Sequence, residues 1–226
     1  MGLRTFVDRV MDRTGAEWAL DLSGLVAQGI LVPAAAAVLA GILRTSWPAA
    51  AGSLALPGYA AFALNFILID YLYYWNHRLL HGALWRWHAV HHTARSMDVL
   101  VTARNTLWTP ALIVYVWANA IFIWLLGDAR PYLLAAALSS VLDMWRHSEV
   151  WPSAPRLSGW HEALARVLIT PRDHAWHHSE DHHDSNFGAN LKVWDRLHGT
   201  LWEPGRAPES LGLPIDGELL KRLILP

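Results

Sequence analysis

Histidine carries the chemistry that this chain can do. Thirteen of the 226 residues are His, and none occurs before residue 77. They fall in short runs, His77-x-x-x-His81, His88-x-x-His91-His92 and His174-x-x-His177-His178, with His147 between the last two. Positions i, i+3 and i+4 share one side of a helix, so each run turns two or three imidazoles the same way. Nine such rings exceed the three or four protein ligands that one zinc ion takes. Two metal ions are the natural count, although imidazole alone does not choose among zinc, copper, iron and nickel. The chain has no Cys. Disulfides, thiolate zinc fingers, cysteine-ligated iron–sulfur clusters and Cys nucleophiles are therefore excluded.

Carboxylates and the other histidines complete the candidate set. Asp70 shares the helical stripe of Tyr74, His77 and His81, Asp143 precedes His147 by one turn, and Glu149 follows it. Each is a candidate to hold an imidazole from behind. His161 precedes Glu162, but Ala165 stands where a zinc protease needs its second His. His198 reads as a surface or capping residue. His182 and His183 stay open: His178 and His182 are four apart, yet Asp181 and Asp184 mark an exposed stretch.

The elements that must position these residues are apolar helices. The composition is 54% hydrophobic and 16% charged with a formal net charge of −1, which excludes disorder and a polyanion-binding surface. Long apolar stretches predict an all-α membrane protein with three to four transmembrane helices, at about 25–43, 54–75, 107–127 and 131–146. The fourth is the shortest, because Asp143 and Arg146 enter it. A single domain over 1–226 is expected, with a helical cap from 76–106 and 147–200 and a tail at 201–226. Arg4, Arg9 and Arg13 precede the first span, Arg78, Arg86, Arg95 and Arg104 lie in the middle segment, and eight more basic residues follow His147. With four spans, this bias puts both termini and every histidine run on the cytoplasmic side. The start of the chain lacks the layout of a cleaved secretory signal, so the first span is expected to remain. Gly127 to Pro131 reads as a tight hairpin on the far side. Gly159 to Ile169 reads as an interfacial helix, and Leu211 to Pro226 as another or as a surface tail. Trp75, Trp85, Trp87, Trp145, Trp151, Trp160 and Trp176 suit a headgroup-level belt.

The three ordered runs and their flanks resemble the sterol desaturase and fatty acid hydroxylase superfamily of integral-membrane di-iron oxygenases. Thr170-Pro171-Arg172-Asp173, Asn186-Phe187-Gly188, Trp194-Asp195-Arg196-Leu197-His198-Gly199-Thr200 and Thr102-Ala103-Arg104 are similar to text of that superfamily, and the likeness runs from about Asp70 to Thr200. Departures are Glu149 after Ser148, Trp151 where some members have a further His, and His198 where Phe is common. The resemblance implies two Fe ions held by His77, His81, His88, His91, His92, His147, His174, His177 and His178, with Glu149 or His182 as substitutes. It also implies dioxygen as co-substrate, and hydroxylation or desaturation of a C–H bond in a lipid such as a sterol or fatty acyl chain. No Gly-x-Gly-x-x-Gly dinucleotide fingerprint is present. Electrons are then expected from a separate electron-transfer protein and its reductase, with Arg78, Arg86, Arg95 and Arg104 available to meet an acidic surface. The alternatives on residue chemistry alone are a di-zinc membrane lipid hydrolase and a non-enzymatic His-rich metal-binding membrane protein.

Overall fold

A computed structural model describes residues 11–149, 158–215 and 218–224. Arg4, Arg9 and Trp151 lie outside the described residues. Among the described residues the fold is all-helical, with strand-like pairing limited to isolated bridges such as Leu54 with Leu126.

Helix α1 runs from Gly15 to Ser46, 32 residues, and is long and apolar enough to cross a membrane by length and composition. It starts at a capping box, where Thr14 Oγ1 accepts from Glu17 N at 3.2 Å and Glu17 Oε2 accepts from Thr14 N at 3.0 Å. A wide turn at Ala27–Leu31 precedes Pro33, which has no N–H to continue the normal ladder. The expected span at 25–43 lies inside this helix, which begins well before it. Asp21 hid the earlier turns from a search for apolar runs. Its carboxylate is fully buried and accepts Arg104 Nε at 2.6 Å and Arg104 Nη2 at 3.0 Å. Arg13 Nε reaches the same carboxylate at 3.0 Å, and the other arm of Arg13 pairs with Asp98.

One turn later α1 meets the 101–103 turn at backbone distance. A Cβ on Gly24 would sit 1.7 Å from Ala103 O, so only glycine fits there. Gly24→Ala is expected to push the helix off that turn and cost about 1–3 kcal/mol, as overpacking does. Thermal unfolding in detergent reads the loss, and an unchanged midpoint would show that the contact gives way freely.

Helix α2 covers residues 58–81 as three joined pieces, Gly58–Ala63, the wide turn Leu64–Ile69 and Asp70–His81. The apolar stretch and the first His pair therefore share one rod. The expected third span differs: 107–127 is not one helix. A single turn, Thr109–Leu112, ends at Ile113 in an extended conformation, and α3 then runs from Val114 to Leu125. Twelve residues rise only about 18 Å, short of a bilayer core of roughly 30 Å. Asn76 of α2 makes the break stable, donating from Nδ2 to Leu112 O at 3.0 Å and accepting Val114 N at Oδ1 at 3.2 Å. A hairpin in which Asp128 Oδ1 accepts Arg130 N at 3.0 Å leads into α4, Arg130–Arg146. Ala61, Ile69, Leu126 and Tyr132 form the buried core between α2, α3 and α4.

The C-terminal part packs over the ends of these helices. It holds α5 (Ser158–Ala165), α6 (Pro171–His177), α7 (Val193–His198) and α8 (Leu219–Ile224). The tail is a strap: Gly212 N donates to His178 O at 3.2 Å, Leu213 N to His92 O at 2.7 Å, and Leu107 N to Leu223 O at 3.1 Å.

Candidate metal centre

Helix α2 delivers His77 and His81 at its last turns, the single turn Trp85–His88 delivers His88, and the following tight turn His91–Thr93 delivers His91 and His92. His147 caps α4, and α6 supplies His174 and His177, with His178 as its cap. The nine rings separate into two groups, His77, His81, His88, His92 and His177 in one, and His91, His147, His174 and His178 in the other. Within each, one nitrogen per ring lies within 4.8 Å of all the others.

The outward nitrogens fix the tautomers. His77 Nδ1 lies 2.9 Å from Phe187 O, His91 Nδ1 3.1 Å from Arg104 O, His147 Nδ1 2.9 Å from Asp143 O, and His177 Nδ1 2.7 Å from Ser185 O. A carbonyl oxygen only accepts, so Nδ1 carries the proton and Nε2 an open lone pair. Yet His77 Nε2 and His177 Nε2 are 3.1 Å apart, and His91 Nε2 and His147 Nε2 are 3.3 Å apart. With no proton between them these lone pairs repel, unless a cation sits among them. Nitrogens sharing one ion at bonds of about 2.1 Å stand roughly 3.0–3.4 Å apart, which is the spacing found. Burial pushes His88, His92, His174, His177 and His178 well below the ordinary imidazole range, and His91 down to about 3. Neutral rings are what a metal ligand requires. Nδ1 of His88, His92, His174 and His178 has no hydrogen-bond partner among the described residues. The donor set fits two metal ions.

The carboxylates are placed differently from one another. Asp143 Oδ1 lies 3.2 Å from His147 Nδ1 and 2.5 Å from Arg146 Nη2. Asp70 touches no histidine; it accepts Asn190 N at 2.7 Å, Leu191 N at 3.1 Å and Trp194 Nε1 at 2.8 Å, tying α2 to the start of α7. Glu149 and His182 belong to neither group. His182 instead stacks on Trp202 with ring centroids 4.1 Å apart, and His183 flanks Trp85 and His81 at the rim. Asp184 Oδ1, which the sequence pattern did not single out as a partner, stands 3.2 Å from His81 Nδ1. His198 packs on Tyr74 and Tyr71.

The C-terminal motifs build the loop that holds these acceptors. Thr170 and Asp173 form a capping box at the start of α6, with Lys192 Nζ 2.7 Å from Asp173 Oδ2. Asn186 takes the left-handed φ of 53°, which Asn tolerates better than most residues, and its side chain bonds Asp173 O, Trp202 O and Trp202 N. Asp195 accepts Phe187 N and Gly188 N at 2.8 Å each and Thr200 Oγ1 at 2.7 Å. A Cβ on Gly188 would lie 2.8 Å from both Asp195 Oδ2 and Leu191 O, so the loop closes only around glycine.

One expected surface is corrected. Arg104 is 2% exposed and engaged with Asp21, so it cannot meet a partner, because a guanidinium leaving a buried ion pair strands the carboxylate. Arg78 lies over the rings of Trp75, Tyr74 and Phe187, while Arg86 and Arg95 are exposed.

A cavity of about 620 Å³ opens beside the histidines. His77, His88, His91 and His147 share its wall with Leu25 of α1 and Val116 of α3. Leu25 and Met144, also in that wall, are 42% and 46% exposed and mark an apolar mouth.

An all-helical protein with two imidazole groups that could each hold a metal, beside a cavity they help to line, is the class defined by this fold and site. Residues 62–200 match the fatty acid hydroxylase family, and the chain belongs to it. It is 31% identical to ornithine lipid hydroxylase OlsE of Rhizobium tropici over 81% of this chain and 58% of that protein. It is 26% identical to alkylglycerol monooxygenase of Xenopus tropicalis over 61% of this chain and 30% of that protein. The fatty acid hydroxylase vlmA of a Lecanicillium species is also 26% identical, over 59% of this chain and 40% of that protein. The chain thus spans less than two thirds of the length of each of these relatives. No solved structure matches.

Proposed function

We propose that this chain is a membrane-embedded di-iron oxygenase that uses dioxygen to hydroxylate a C–H bond of a lipid. The opposed Nε2 lone pairs at 3.1 and 3.3 Å carry the reading, because they call for a cation in each group. The relatives are named hydroxylases and monooxygenases, which favours oxygen insertion over desaturation and a redox metal over zinc.

His77, His81, His88, His92 and His177 would hold one iron, and His91, His147, His174 and His178 the other. The bound irons supply reductive activation of dioxygen, which no amino-acid side chain provides. The chain's own work is different. Carbonyls of Phe187, Arg104, Asp143 and Ser185 hold four rings in the ligating tautomer. Burial of every ring but His81 keeps bulk water from the centre, and the cavity wall aligns an apolar chain with its reacting carbon toward the His77 and His147 rings. The four-His group has the smaller ligand count and hence more room for an exogenous molecule.

In the same reading, α1, α2 and α4 cross the membrane, and the 109–112 turn with the short α3 makes the remaining passage, since Leu54 N donates to Leu125 O at 2.8 Å and sets the hairpin before α4 beside the α1–α2 connection. The histidines and both termini face the cytoplasm. Arg86 and Arg95 are the exposed cations left for an acidic electron-transfer protein, fed by its own reductase. Purified anaerobically, the full chain is expected to carry about two irons, the count set by its two groups of four and five ligands. A folded, iron-free preparation unable to consume dioxygen with any reductant would sink the proposal.

A further inference from the structure

The cavity that reaches the histidines also has a polar stretch far from them. Asn65, in the wide turn of α2, and Asn119, in α3, both line it. Asn65 Nδ2 donates to Asn119 Oδ1 at 3.1 Å, and Tyr132 Oη donates to the same oxygen at 2.6 Å. Those two bonds fill the lone pairs of Asn119 Oδ1. Tyr132 Oη, already a donor to Asn119, can meet Asn65 only as an acceptor of its amide N–H, which leaves Asn65 Oδ1 and the Asn119 amide hydrogens with no bond to any described residue, although Asn65 is 3% exposed.

The surroundings are apolar: Tyr132, whose hydroxyl reaches this pair, belongs to the core of Ala61, Ile69 and Leu126, on which Leu64, Ala118 and Phe122 pack. An amide in such surroundings is costly to leave without a partner. A brace between helices could use all of its donors on protein, whereas this one turns an acceptor and donors into a cavity. The wide turn at Leu64–Ile69 fits the same picture, since such turns inside α-helices frequently lie at functional sites. Helix α2 also supplies a ruler. Asn65 and His77 are twelve positions apart (77 − 65) on that helix, or roughly 18 Å along its axis.

We propose that Asn65 and Asn119 form a subsite for a hydroxyl group on the lipid substrate, roughly 18 Å from the carbon presented to the histidines. A hydroxyl donates to Asn65 Oδ1 and accepts from Asn119 Nδ2 at once, which matches the leftover valences on both residues. The substrate class is then a long chain or rigid lipid skeleton carrying a hydroxyl remote from the oxidised position. This inference rests on the lipid-oxidising reading of the histidine centre.

The test uses the metal-loaded full chain in detergent, with a saturated long-chain fatty acid and the same acid bearing a terminal hydroxyl as probes. Binding is read by tryptophan fluorescence and by thermal shift, and turnover separately by mass change. The wild type is expected to bind the hydroxylated chain about tenfold tighter, and Asn65→Leu and Asn119→Leu are each expected to abolish that preference. No preference in the wild type overturns the subsite without needing any variant to fold. A preference that survives both substitutions overturns it too, and leaves the two amides as a brace. If the hydroxyl preference is found but no lipid is ever oxidised, the reading of the histidine centre fails and the subsite stands. If unsubstituted lipids are oxidised with no preference, the reverse holds.

Discussion

Replacing His147 with alanine is expected to cost the protein one whole metal ion, whereas replacing His88 is expected to weaken the other without emptying it. The two groups differ in their reserves. His147 Nε2 is 3.3 Å from His91 Nε2 and 2.9 Å from His174 Nε2, so it links the members of a set that has only four rings. Removing it leaves three imidazoles and a gap at the centre of the set. His88 belongs to the set of five, and its loss leaves four, the number with which the other group is complete. The expected outcome for His147→Ala is about one iron per chain and lipid oxidation at background, since groups that act as a unit lose nearly everything together. For His88→Ala the expected outcome is about two irons under saturating metal, with affinity lowered at that group alone. Iron content after dialysis and Mössbauer spectra of the two variants distinguish these results. Equal losses from both variants, or a fully active His147→Ala protein, would show that the partition into four and five does not describe how metal is held.

Much of this centre is legible from spacing, because histidine at i, i+3 and i+4 is a local pattern that a helix converts directly into a common direction. Which ring joins which group is not local. His177 joins His77 across 100 positions and His91 joins His147 across 56, so the partition follows from how α2, α4 and α6 pack. The acceptors behind the rings were less visible still. Phe187 O, Ser185 O and Arg104 O are backbone atoms, and a carbonyl leaves no mark in residue type. The carboxylates show the same limit: Asp70, on the stripe of His77, turns away to bind backbone of the 190–194 segment, while Asp184 approaches His81 from a stretch that reads as exposed. Hydropathy located the apolar helices but not their ends. It discounted Asp21, whose charge is met inside the protein by Arg104, and it merged α3 with the turn before it, because Asn76 acts from another helix. The exposed Arg104 expected from the charge pattern failed for the reason that α1 began earlier than its apolar run.

Asp195→Asn is expected to injure one metal group and spare the other, although Asp195 touches no histidine. Its carboxylate collects three donors, Phe187 N, Gly188 N and Thr200 Oγ1, all at 2.7–2.8 Å. Burial raises its pKa while the three hydrogen bonds oppose that shift, so the acceptor capacity of both oxygens is what the site uses. Asparagine has the same shape but turns an N–H₂ toward at least one N–H, leaving a buried donor unmet at about 1–3 kcal/mol. The loop then loses the tether that sets the positions of Phe187 O and Ser185 O, the acceptors for His77 and His177. Both of those rings belong to the five-His group, whereas His91 and His147 are oriented by Arg104 and Asp143 from elsewhere in the fold. Metal affinity at the five-His group is accordingly expected to fall about 10–100-fold, the usual cost of losing an outer partner of a ligating histidine. The four-His group is expected to keep its affinity. A stepwise metal titration of the stripped variant, followed by two resolved binding isotherms, measures each group separately. If both isotherms shift together, the carboxylate acts through global stability alone, and its link to His77 and His177 through the 185–188 loop is wrong.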